Sequence, residues 1–104
     1  MHELDMQRAN REEARWRILR ALDAGRPGPV SEPILYRLLS GDLALPITPT
    51  GLRRELDYLR DRKLIEITGE DTPVWLAELT RYGVDIVEYT IACEPGIARP
   101  KQWI

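Results

Sequence analysis

The chain reads as an α+β domain with a three-helix core, a two-stranded β-hairpin and a fourth helix near its C-terminal end. Three observations predict this. Residues 48–63 carry a helical apolar stripe behind a Thr-Pro start. Leu64, Ile65 and Ile67 follow without a Gly or Pro break, and β-branched residues favour a strand there. Two shorter helical patterns precede this block, and a second β-rich run follows it. That order is the layout of a winged helix-turn-helix domain, with residues 48–63 as the recognition helix and the hairpin as the wing.

Residues 1–9 show no sustained period and are expected to be a flexible N-terminus, so the domain is read over residues 10–92. Asn10 and Glu13 have capping-box spacing, which predicts that the first helix starts there. Ala14, Ile18, Ala21 and Leu22 form its stripe, with Leu19 beside them, and Gly25 suits its end. Trp16 sits off the stripe centre, as a core or rim aromatic or as a partner contact. Arg26–Val30 is a Pro/Gly turn, and Ser31 is placed to cap a second helix whose Ile34, Leu35, Leu38 and Leu39 point inward. Residues 41–47 link it to the recognition helix. Leu43, Leu45 and Ile47 alternate there, as a short extended piece under the wing or as an apolar loop.

In the recognition helix, Thr48 caps, Pro49 fits the first position, and Leu52, Leu56 and Leu59 share one face. Thr50, Arg54, Asp57 and Asp61 lie opposite, with Arg53 and Tyr58 at the edges. The wing strands are expected at 64–68 and 74–79 around a Gly69–Pro73 tip, with Trp75 covering the core or the helix end. Thr80 caps a fourth helix over 80–91. Val84, Val87 and Ile91 form one stripe there, and Tyr82, Ile86 and Tyr89 lie beside it. This broad apolar surface either closes the core or also pairs with a second copy, making a homodimer through residues 80–91. Residues 93–104 form an extended tail, with Trp103 and Ile104 loose or docked.

Composition narrows the function. A chain of 104 residues with 43% apolar content is one domain with a core. The lone Cys93 and lone His2 offer neither an internal disulfide nor a metal site, and no cofactor motif is present. There is no nucleophile constellation and no phosphate loop, so an enzyme is not expected. No apolar run approaches membrane-spanning length, and a cytoplasmic protein is the expectation.

Charge is uneven along the chain. Residues 50–63 carry five basic and three acidic side chains, whereas residues 64–92 carry one basic and six acidic. Basic side chains on a recognition helix point to double-stranded DNA as partner. Arg53 and Arg54 lie in the part of such a helix that enters the major groove, where arginine bonds a guanine edge. Thr50 and Tyr58 are placed to reach a phosphate or a thymine methyl. Arg60, Arg62 and Lys63 are placed along the backbone. Asp57 can pair with Arg53, Arg54 or Arg60, either holding a guanidinium in place or consuming it. The acidic wing and Asp57/Asp61 motivate the alternative of a protein-interaction module that keeps the fold without DNA binding.

The opening helix RWRILRALDAG, the block TGLRRELDYLRDRKLIEI, the helix start LTRYGVDIVE and the tail EPGIARP together span about residues 14–100. In these the chain resembles the small winged-helix proteins of Mu-like transposable phages and prophages, and more distantly the ArsR- and MarR-type regulators. The resemblance implies a prophage origin, a DNA-binding or regulatory role, and a phage or host protein as a possible further partner. It does not extend to metal sensing, because the cysteine and histidine ligands of the metal-sensing regulators are missing.

Overall fold

The computed structural model describes residues 3–102, with the Glu3 side chain excepted; the expectations for His2, Trp103 and Ile104 lie outside them. Helix α1 spans Glu3–Ala24. It starts seven residues before the expected Asn10, because residues 3–13 contain no Gly or Pro and consist mostly of strong helix formers. The inward stripe is as expected: Ala14, Ile18, Leu19 and Leu22 are buried. Trp16 is a core residue, 1% exposed and edge-on to Tyr89 at 6.2 Å between ring centres.

Strand β1, Val30–Ser31, emerges from the stretch expected to be a plain turn. It pairs antiparallel with β3, Leu76–Leu79, which pairs on its other side with β2, Ile65–Thr68. The third strand of the sheet therefore comes from Val30–Ser31 and not from the alternating Leu43–Ile47 stretch. That stretch is an irregular loop with Leu45 and Ile47 packed against the core. Helix α2, Glu32–Tyr36, runs into a π-helical turn over Arg37–Asp42, seen in the Leu43 amide bonding to the Leu38 carbonyl at 2.9 Å. Ser31 precedes α2 but its hydroxyl makes no capping bond. Leu35 and Leu39 are fully buried, while Ile34 is 57% exposed, contrary to expectation.

Helix α3, Pro49–Asp61, forms as the sequence dictates. Thr48 Oγ1 accepts from the Gly51 amide at 2.9 Å, and Leu52, Leu56 and Leu59 are 0% exposed. The β2–β3 hairpin is shorter than expected, with its loop running over residues 69–75. Trp75, the last residue of this loop, is buried, and Val74 before it is exposed.

Helix α4 spans only Arg81–Val87, where 80–91 was expected. Tyr89 adopts φ +62°, which turns the chain away from the helix axis. Thr80 Oγ1 caps α4 by accepting from the Gly83 amide at 3.1 Å, and the Thr80 hydroxyl donates to the Lys63 carbonyl at 2.6 Å. Gly83 is required here. A Cβ at this position would run into the Leu64 carbonyl oxygen and lie 3.0 Å from Leu79 Cδ2. Val84, Ile86 and Val87 are buried within the monomer, so this part of the expected apolar surface closes the core, while Tyr82, Tyr89 and Ile91 are half-buried against it.

The tail is extended, as expected, but it is also docked. Ile97 is buried, and the Ala98 amide donates to the Glu12 carbonyl at 3.1 Å. Arg99 donates to the Ile86 and Ile91 carbonyls at 3.0 and 2.9 Å. The packed body thus runs from α1 through the tail. Among the described residues, no helix is long and apolar enough to cross a membrane.

Candidate nucleic-acid interface

The seven residues singled out from sequence do not form one patch. The α3 helix distributes them to three neighbours. Thr50 and Arg54 are exposed on its first two turns, and the Arg54 side chain has no ion-pair or hydrogen-bond partner among the described residues. Arg53 turns toward α2. Its guanidinium forms a two-pronged pair with Glu32, with Nη2 2.7 Å from Oε1, and also donates to the Pro73 carbonyl at 3.0 Å. It lies 4.4 Å from the centre of the Trp75 ring. Glu32 in turn accepts from the Trp75 amide at 3.1 Å. The bonded Arg53 guanidinium holds the Glu32 carboxyl below its usual value. Partial burial opposes this, and the Trp75 amide adds to it. Of the expected Asp57 partners it is Arg60 that pairs, at 2.7 Å, while Arg53 is taken by Glu32.

The later cations are also engaged. Arg60 bonds Glu70 at the hairpin loop as well as Asp57, and these bonds raise its proton affinity, Glu70 most. Arg62 pairs with Glu94 of the tail at 3.1 Å and stacks 3.5 Å from the Tyr58 ring centre. Arg15 of α1 stacks on Tyr58 at the same distance. Tyr58 is therefore clamped between two guanidiniums beneath the tail. Gly96 makes this possible: with φ +100°, a Cβ there would collide with the Tyr58 hydroxyl. Lys63 is exposed at the end of α3 with φ +68°.

Two residues that position the site escaped the sequence reading. Glu55 is buried at 3% exposure and accepts from Arg15 Nε at 2.7 Å, and Arg15 Nη1 donates to the Gly96 carbonyl at 2.9 Å. This one ion pair ties α1, α3 and the tail together. The signal was there: Leu52, Glu55, Leu56 and Leu59 follow the i, i+3, i+4, i+7 spacing of a buried helical face. The second is Arg11. It is exposed on α1 and, like that of Arg54, its side chain has no ion-pair or hydrogen-bond partner among the described residues. Arg11 and Arg54 line a groove of about 450 Å³ between α1 and the start of α3, with Gln7, Asn10, Pro46 and Thr48. On the other side of the α3 start, a groove of about 430 Å³ is lined by the paired Glu32 and Arg53 together with Pro33, Tyr36, Pro49 and Pro73.

No family model matches the chain, and no curated protein or solved structure matches it.

Proposed function

We propose that this chain is a winged helix-turn-helix protein that binds double-stranded DNA through the exposed start of α3, as a cytoplasmic, non-enzymatic regulator or DNA-transaction protein of phage origin. The element order supports the winged-helix reading, with β1 between the first two helices and the hairpin directly behind α3. The observation that carries DNA binding is Arg54. It is a cation whose side chain has no partner among the described residues, in the second turn of α3 beside the exposed Thr50, where such helices meet base edges. The phage setting rests on the resemblance of residues 14–100 and on nothing else.

The test is a gel shift with random-sequence duplex at low salt. The wild-type chain is expected to retard the duplex, and replacing both Arg53 and Arg54 with Ala is expected to abolish the shift. Arg54→Ala alone should remove most of it, because Arg53 is already held by Glu32. Undiminished binding by the double variant removes α3 from the interface.

A specific observation favours a second reading, a protein-interaction module. Arg53, Arg60 and Arg62 are each matched by a carboxylate from outside α3: Glu32, Glu70 and Glu94. A wild-type chain that ignores duplex DNA even at low salt supports that reading over the first.

A further inference from the structure

The three matched arginines lie along the α2, hairpin and tail sides of α3, and the hairpin loop adds the exposed Glu70 and Asp71. A phosphate approaching from the hairpin side meets carboxylates and must displace an ion pair to reach a guanidinium. The α1 side is different. Arg11 and Arg54 face one groove from two helices, both exposed and both without a side-chain partner among the described residues. Among the described residues the one carboxylate that lines the groove, Glu55, is already answered by Arg15 at 2.7 Å. Gln7, Asn10 and Thr48 line the same groove and carry side chains that donate hydrogen bonds to anionic oxygen.

From this we propose that the α1–α3 groove is the phosphate-backbone site of the chain, with Arg11 and Arg54 as its paired cations, and that the hairpin makes no backbone contact. The occupant is the phosphodiester backbone of duplex DNA. The site rests on the DNA-binding reading and extends its footprint from the start of α3 to the first helix. Charge complementarity argues for it: a groove with two unspent guanidiniums suits a run of neighbouring phosphates, each neutralised phosphate releasing counterions. Arg54 then serves two purposes, at the base edge or at the backbone according to register, while Arg11 serves only the backbone.

The experiment measures binding of a labelled random-sequence duplex as a function of salt for the wild-type chain, Arg11→Ala, and Arg17→Ala as control. Arg17 is an exposed arginine of the same helix that is spoken for by Glu13 at 3.2 Å. Because the Arg11 side chain has no partner to lose among the described residues, thermal melting of Arg11→Ala should match wild type. The expected result is severalfold weaker binding of Arg11→Ala across unrelated duplex sequences. Its salt dependence should also be shallower by about one counterion. Arg17→Ala should leave both unchanged. Wild-type binding with an unaltered Arg11→Ala overturns the groove while leaving α3 as reader. No wild-type binding overturns both. A groove that instead takes polyglutamate, with duplex binding indifferent to Arg11→Ala, assigns it to an acidic protein partner and also overturns the proposal.

Discussion

Glu55→Ala is the substitution with the furthest reach, because it removes the carboxylate that fixes α1 against α3. The Glu55 side chain is 4% exposed and the Arg15 side chain 12% exposed, so neither charge is solvated enough to be indifferent to its partner. Breaking a buried pair from one side costs about 3–5 kcal/mol, most of it the stranded charge. Two features bring the figure down here. Arg15 keeps its bond to the Gly96 carbonyl and its stack on Tyr58, and the groove beside Glu55 lets water into the vacated space. About 2–3 kcal/mol is therefore expected. For a domain near 100 residues this lowers the melting temperature by roughly 10–20 °C. Circular dichroism melts of wild type, Glu55→Ala, Arg15→Met and the double variant give the coupling. The double variant should be less destabilised than the two single changes added together, by about 1–3 kcal/mol. A Glu55→Ala melt within about 2 °C of wild type, or strict additivity, would refute the reasoning.

Other expectations follow from single contacts. Gly83→Ala gains helix propensity of about 1 kcal/mol but forces a methyl against the Leu64 carbonyl, so a net loss of about 1–3 kcal/mol should appear in urea unfolding. Glu32 has a folded-state pKa below its ordinary 4.5, so its pairing with Arg53 stabilises the fold fully above that value and loses the contribution as pH falls through the depressed value. Urea midpoints of Glu32→Gln should accordingly lie below wild type near neutral pH and converge with it in acid, and a gap that persists in acid contradicts this. Burial raises the Cys93 thiol above its ordinary value, so its reaction with a disulfide reagent near neutral pH should be slow and should quicken in urea.

The elements with a strong local signal were legible in the sequence. The Thr48–Pro49 start and the three leucines place α3 correctly, and the β-branched run behind it places β2. What was missed depends on distant partners. Val30–Ser31 is too short for a strand signal and exists because β3 supplies its ladder. The tail has no period, yet Ile97 and the Ala98 amide dock it on the core and α1. The arginines could be named but not apportioned. Their spacing on α3 is local, whereas Glu32, Glu70 and Glu94 reach them from 21, 10 and 32 positions away in the chain. Arg11 lies in the first helix whether it starts at Asn10 or Glu3, but its place across a groove from Arg54 depends on how α1 packs against α3, which local spacing does not give.

Amide hydrogen exchange of the wild-type chain, with and without duplex DNA at low salt, tests the central claim most directly. DNA is expected to slow exchange over the first turns of α3, residues 49–54, and over the facing turns of α1 around residues 7–11, and to leave the hairpin loop 69–75 unchanged. No slowing anywhere, or slowing confined to the hairpin, would contradict the account.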